Sequence, residues 1–136
     1  MNNNTPEQTP LGVLIIGSGF AGLGLAMRLR QQGSDDFLIL EKAAKAGGTW
    51  RDNDYPGAAC DVPSHLYSFS FEPKTDWSRR FAPQAEIFTY VQQCIAKYQL
   101  QSRIRCNSEV SEAWFDESVA LWRVTTLDGA QFSARA

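Results

Sequence analysis

Gly12-Val13-Leu14-Ile15-Ile16-Gly17-Ser18-Gly19-Phe20-Ala21-Gly22 runs from a short apolar stretch straight into three glycines at GxGxxG spacing. The first five residues have the continuous apolar character of a strand buried on both faces. Leu23, Ala26, Met27 and Arg30 then recur at helical spacing until Gly33, which suits the end of a helix. Phe37-Leu38-Ile39-Leu40 is a second apolar run, closed by Glu41. Strand, tight turn, helix and strand make a β-α-β unit, with a right-handed crossover expected.

The spacing gives each residue a physical task. Gly17 permits a tight turn, Gly19 lets the backbone approach a pyrophosphate, and Gly22 lets helix and strand pack closely. The N-terminus of that helix turns free N–H groups and a partial positive charge toward an anion. Glu41 stands nineteen residues after Gly22, where a carboxylate can accept both hydroxyls of an adenosine ribose and would repel a 2′-phosphate. The turn is therefore expected to hold FAD or NAD and not NADP. A glycine-rich link between strand and helix, with Glu41 solvated, is the bland alternative.

Outward from this unit, Lys42–Phe81 has no lasting periodicity, yet carries Trp50, Tyr55, Tyr67, Phe69, Phe71, Trp77 and Phe81. Loops beyond ~12–15 residues are usually functional or disordered, and the aromatic content argues against disorder. An NAD domain would pass quickly to another helix and strand. A long aromatic loop instead suits the walls of a flat isoalloxazine, so FAD is preferred. Pro83–Tyr98 reads as a helix with Ile87, Val91, Cys94 and Tyr98 on one face. Ile104–Asn107, Glu109–Phe115, Leu121–Thr126 and Gln131–Arg135 read as the strands of a closing β-meander, with a hairpin turn at Leu127-Asp128-Gly129-Ala130. The expected fold class is thus α/β, a Rossmann-like domain over residues 11–136. The polar, proline-interrupted residues 1–10 read as a disordered tail, and Phe132–Ala136 as a chain cut in mid-fold.

Composition limits the alternatives. The chain has 136 residues, 43% hydrophobic and 21% charged, enough for about one domain. With 13 Lys+Arg against 15 Asp+Glu, it lacks the electrostatic footprint of a nucleic-acid binder. Val13–Ile16 is far short of the ~20 residues that span a bilayer, and no export signal is read, so a cytoplasmic place is expected. Cys60, Cys94, Cys106 and the lone His65 offer no zinc spacing, and no metal is expected. His65 reads as a loop residue, and Arg79 and Arg80 as a solvated face.

Three further blocks carry a specific resemblance: Gly47-Gly48-Thr49-Trp50, then Tyr55-Pro56-Gly57-Ala58-Ala59-Cys60-Asp61-Val62-Pro63-Ser64, then Tyr67-Ser68-Phe69-Ser70-Phe71. In this order they resemble the N-terminal FAD domain of class B flavoprotein monooxygenases, and most the Baeyer–Villiger type. The resemblance implies that Gly17, Ser18, Gly19, Phe20, Ala21 and Gly22 bind the FAD pyrophosphate and that Glu41, with Lys42 beside it, binds the ribose. It implies that Gly48, Thr49 and Trp50 line the pyrophosphate and ribityl chain and that Tyr67 touches the cofactor. Asp61 and Val62 would lie near the isoalloxazine, Asp61 with a catalytic part facing an arginine outside this chain, and the Val110 backbone would hold adenine. Turn capping by Asp61 and core packing by Trp50 and Tyr67 are the bland alternatives.

The chemistry so implied uses NADPH as co-substrate and O2, and proceeds through a C4a-peroxyflavin. It converts ketones to esters or lactones, or oxygenates the nitrogen of an amine or the sulfur of a sulfide. The resemblance places the NADPH turn, the catalytic arginine and the family fingerprint beyond Ala136, so the chain alone is expected not to turn over. A non-catalytic FAD- or NAD-binding module and an amine N-hydroxylase are the rival readings. A disulfide reductase lacks the paired redox cysteines.

Overall fold

A computed structural model describes residues 9–136. Most of the expected tail over residues 1–10 lies outside the described residues. The chain forms β1 (Val13–Ile16), α1 (Phe20–Gln31), β2 (Phe37–Leu40), α2 (Thr49–Asp52), α3 (Gln84–Lys97), β3 (Ile104–Arg105), β4 (Val110–Asp116), β5 (Leu121–Thr126) and β6 (Gln131–Ala134). Short 3-10 turns occur at Ser64–Leu66 and Gln101–Arg103. Among the described residues no helix is long and apolar enough to cross a membrane.

Two three-stranded sheets divide these strands. The first is parallel in the order β1-β2-β3, with Ile15 beside Ile39 and Ile39 beside Ile104. The second is the antiparallel meander β4-β5-β6. Ile104–Asn107, expected as the first strand of the meander, is therefore corrected: only Ile104–Arg105 is extended, and it extends the parallel sheet. Its partner edge is β2, because α3 returns the chain to that side, whereas Ser108 turns away to donate its amide to Glu41 O. The meander closes at the predicted hairpin, where Gly129 takes φ +85° and Thr126 N donates to Ala130 O at 3.0 Å. The end of the chain then runs beside β1, with Leu14 N donating to Ala136 O at 2.8 Å.

The hydrophobic core joins Ile15, Phe37 and Ile39 of the parallel sheet to Leu23, Ala26 and Met27 of α1 and to Tyr90, Val91, Cys94 and Ile95 of α3. Both helices present their apolar stripe because those residues recur every three or four positions. Each fully buried Leu23, Phe37 or Ile39 side chain contributes about 1.5–3 kcal/mol. The expectation that the whole first strand is buried on both faces holds only at Ile15. Val13 and Leu14 are half-buried, and Ile16 is 60% exposed, because it lines a cavity at the carboxyl end of the strand.

The long segment between β2 and α3 is ordered by its aromatic rings. Phe20 of α1 stacks on Phe69 at 4.9 Å and meets Tyr67 edge-on at 5.3 Å, and Phe69 stacks on Phe71 at 5.4 Å. The buried Tyr90 hydroxyl accepts from Phe69 N at 2.9 Å and donates to Glu72 O at 2.7 Å. Burial pushes this phenol well above its ordinary range, so it serves as a neutral clamp. Ser64 makes a second clamp: it accepts from Ala82 N at 2.8 Å, and its own hydroxyl faces Arg79 O and Arg80 O at 2.8 and 2.9 Å.

Gly22 fixes the distance between α1 and the preceding turn, since a Cβ there would collide with the carbonyl oxygen of Gly17. Gly22→Ala is expected to lower unfolding stability in urea by more than ~2 kcal/mol. Gly129→Ala, in open space at φ +85°, should cost only about 1 kcal/mol. Equal urea midpoints for the two variants would contradict this packing.

Candidate functional site

The carboxyl ends of parallel strands, where the chain turns into a helix, leave backbone groups unpaired and so tend to become binding crevices. Here that crevice is a cavity of about 370 Å³ lined by Ile16, Gly17, Ser18, Gly19, Leu40, Glu41, Lys42, Gly48, Arg51, Asp52, Ser108, Glu109 and Val110. Gly17 extends the β1–β2 ladder by donating its amide to Leu40 O at 2.8 Å, then turns at φ +93°. Gly19 caps α1 in an extended conformation with no side-chain cap bond. The first-turn amides of α1 have no acceptor within the helix, and its N-terminus bears the positive end of the dipole.

The Gly47-Gly48 turn closes over this opening. Gly47 N donates to Ser18 O at 3.1 Å, and Gly48 sits at φ +56° with its position for a Cβ only 2.7 Å from Gly19 Cα. Any side chain at Gly48 would therefore strike the first glycine turn. That close approach leaves a backbone-lined cradle and no side chain between the two glycines.

Glu41 forms the far wall. It is 3% exposed, and its Oε2 accepts from Ser18 N at 3.0 Å and from the Ser18 hydroxyl. Its Oε1 accepts from Ala43 N at 2.8 Å and lies 3.1 Å from Arg51 Nη1. Burial pushes this carboxyl upward. The Ser18 hydroxyl, the Ala43 and Ser18 amides and the Arg51 guanidinium outweigh burial and hold it below the ordinary carboxylate value. Burial, together with the Glu41 charge, raises the nearby Cys106 thiol. The backbone of Glu41 is fastened too, its N donating to Arg105 O and its O accepting from Ser108 N, both at 2.9 Å.

Of the residues singled out from the sequence, Gly17, Ser18, Gly19, Glu41, Lys42, Gly48 and Val110 line this one cavity. Phe20, Ala21 and Gly22 form the first turn of α1 behind it. Thr49 is exposed at the start of α2. Trp50 is 7% exposed in a second core cluster, its indole N–H donating to Tyr67 Oη at 3.0 Å with the rings edge-on. Neither ring lines the cavity. Asp61 and Val62 are exposed on the loop between Cys60, whose N donates to Ala82 O at 3.0 Å, and the Ser64 clamp. The three cysteines are unbridged, and His65, Arg79 and Arg80 are exposed.

Arg51, Asp52, Ser108 and Glu109 were not legible as site residues. Arg51 directly follows the Gly-Gly-Thr-Trp block, a cue that only the one-turn helix α2 makes meaningful. Ser108 and Glu109 reach the cavity because β3 ends beside β2.

A family model described as an NAD(P)-binding Rossmann-like domain matches residues 15–83. A Baeyer–Villiger monooxygenase of Pseudomonas aeruginosa is 53% identical over 124 residues, covering 91% of this chain and 24% of that protein. Among solved structures, an oxidized steroid monooxygenase bound to NADP matches with a TM-score of 0.87 at 39% identity, over 93% of this chain and 25% of that one. A cyclohexanone monooxygenase in an open crystal structure matches with a TM-score of 0.88 at 31% identity, over 94% of this chain and 26% of that one. The chain thus spans about a quarter of the length of these relatives.

The Glu41 carboxylate gives the fold a definite acid dependence. A carboxyl held low in the folded state stabilises the fold above the unfolded-state value near 4.3, and that stabilisation is lost as pH falls through the lower folded-state value. Glu41→Gln should lower stability at pH 7 by about 2 kcal/mol through loss of its charge-assisted bonds. It should also flatten the fall in thermal midpoint between about pH 5 and pH 3 relative to the parent. Parallel pH curves for the two proteins would refute this role.

Proposed function

The chain belongs to the NAD(P)-binding Rossmann-like domain family, and on that premise we propose that it is the FAD-binding part of an NADPH- and O2-dependent flavin monooxygenase. The proposed reaction of the whole protein is Baeyer–Villiger oxidation of a small ketone to an ester or lactone. The observation that carries the reading is one cavity in which the α1 N-terminus, the Gly19–Gly48 cradle and the buried Glu41 carboxylate converge. Its backbone lining suits a pyrophosphate, and its carboxylate suits ribose hydroxyls. The likeness to a Baeyer–Villiger monooxygenase and to ketone- and steroid-oxidizing structures supports the choice of reaction.

Each residue then has a defined task. Gly17, Ser18, Gly19, Phe20, Ala21 and Gly22 present the α1 N-terminus to the FAD pyrophosphate, and Gly48 keeps side chains out of its path. Glu41 accepts the adenosine ribose and opposes a 2′-phosphate, so NADPH is assigned to sequence outside this chain. Lys42 and the Val110 backbone border the adenosine end. Thr49, Trp50 and Tyr67 continue toward the ribityl chain, with the Trp50–Tyr67 hydrogen bond holding two rings as a rigid wall. Asp61 and Val62 lie toward the isoalloxazine on a loop pinned at Cys60 and Ser64.

A bound flavin supplies hydride acceptance from NADPH and activation of O2. The share of this chain is to bind, to orient and to exclude water through the aromatic segment. Asp61 is exposed and pairs with no cation among the described residues, and in this reading it meets a positive group supplied by the rest of the protein. The reading includes a cytoplasmic location.

FAD added to the purified chain should quench flavin fluorescence on binding, and NADP+ should not compete. Glu41→Ala should weaken FAD binding by about tenfold or more, the worth of one charge-assisted hydrogen bond. A chain that takes up no flavin at any concentration would overturn the proposal.

A further inference from the structure

Glu41 is the one buried carboxylate on the cavity wall, and Arg51 is the cation that stands against it. A carboxylate offers about four acceptor sites. Ser18 fills two on Oε2 through its amide and hydroxyl, and Ala43 N fills one on Oε1. Arg51 Nη1 lies 3.1 Å from Oε1. Nη1 also donates to Lys45 O at 2.7 Å, so the guanidinium is anchored on the backbone while its charge lies against Oε1.

The guanidinium is fastened on its other edge as well. Nε and Nη2 form a fork with Asp52 Oδ1 and Oδ2 at 2.8 and 2.9 Å. The side chain of Arg51 is 13% exposed, and that of Asp52 is 57% exposed. Arg51 is thus held from outside by a backbone carbonyl and a surface carboxylate, and it faces inward onto Oε1. This arrangement depends on α2: one helical turn places Arg51 inward next to Trp50 and Asp52 at the rim.

We propose that Arg51 is a positioning residue for nucleotide binding: tethered to Lys45 O and Asp52, it holds Glu41 as an ionised carboxylate that accepts from the ribose. This rests on the reading that an adenine dinucleotide occupies the cavity. Without Arg51, Glu41 keeps two amides and a hydroxyl but loses the one cation that contacts it among the described residues, and a buried carboxylate without a partner charge tends to bind a proton. A protonated Glu41 carries an O–H donor where the carboxylate would accept, and so holds a ribose hydroxyl less well.

The other charges around Glu41 do not replace this contact. Lys42 follows it in the chain and is exposed, Asp52 opposes the effect, and Glu109 on the rim before β4 adds negative charge. Cys106, after β3, is held protonated by burial and by the Glu41 charge. Lys45 contributes its carbonyl to Arg51, while its ammonium lies over the Phe88 ring at 4.8 Å.

The test measures binding of FAD by fluorescence quenching and of ADP by calorimetry from pH 5 to pH 8, for the parent, Arg51→Gln, Arg51→Lys and Asp52→Asn. Arg51→Gln should bind both ligands about tenfold more weakly at pH 7, equivalent to one charge-assisted contact, and the deficit should grow as pH falls. Arg51→Lys should restore most of the affinity, and Asp52→Asn should fall between Arg51→Gln and the parent. A purely structural role would give a deficit that is the same at every pH and is not rescued by lysine, which would overturn the proposal. In ligand-free protein, carbon-13 carboxyl titration should move the Glu41 midpoint upward in Arg51→Gln and leave it near the parent in Arg51→Lys. An unmoved midpoint in Arg51→Gln also overturns it. If the parent binds neither FAD nor ADP, the nucleotide reading fails and the binding role of Arg51 fails with it. An upward-moved midpoint would then identify that reading as the error, and an unmoved one would place the fault in the Arg51–Glu41 contact itself.

Discussion

The buried carboxylate of Glu41 is the joint on which the site depends. One of its oxygens takes both the amide and the hydroxyl of Ser18, at the far side of the first glycine turn, so the end of β2 fixes the turn that follows β1. The other oxygen takes the Ala43 amide and faces Arg51, so the same group also sets where the chain leaves the sheet. A carboxylate this deeply buried is costly to leave unpaired. Three hydrogen-bond donors and a guanidinium around one side chain therefore both stabilise the fold and define the shape of the cavity.

The aromatic segment solves a different problem. Some forty residues without periodic secondary structure leave many backbone groups to satisfy, and the chain does so with a few polar side chains set among rings. Tyr90 ties Phe69 N to Glu72 O, Ser64 ties Ala82 N to the Arg79–Arg80 carbonyls, and Trp50 donates to Tyr67. Stacked or edge-on rings around Phe20 then attach the segment to α1. The helix whose N-terminus faces the cavity is thus packed directly against the aromatic segment.

Much of this was readable before any coordinates. The apolar runs at Val13–Ile16 and Phe37–Leu40, the glycines between them and the acid at position 41 are local patterns, and local patterns survive folding when each level agrees with the next. The helix Gln84–Lys97 was legible from its apolar spacing, and the last hairpin from Asp128-Gly129. What sequence could not give was partnership. Ile104–Arg105 is too short to reveal that it pairs with β2 and not with the meander. Trp50 and Tyr67 carry the same letters whether they face a ligand or each other. Arg51 sits in a stretch with no period at all, and only the turn of α2 brings it to Glu41.

The pairing of Glu41 with Arg51 also refines how the cavity discriminates. A lone carboxylate repels a 2′-phosphate by charge, but the guanidinium 3.1 Å away offsets much of that field. Rejection must then rest more on shape and on donor–acceptor matching. The Ser18 and Ala43 donors leave Glu41 able only to accept, which a ribose hydroxyl satisfies and a phosphate dianion cannot. Because that mismatch is a property of hydrogen bonding at a buried group, salt should screen it far less than it screens exposed charges. On the proposed dinucleotide reading, selectivity for an unsubstituted ribose then persists at ionic strengths that screen the charges of Lys42 and Glu109 at the rim.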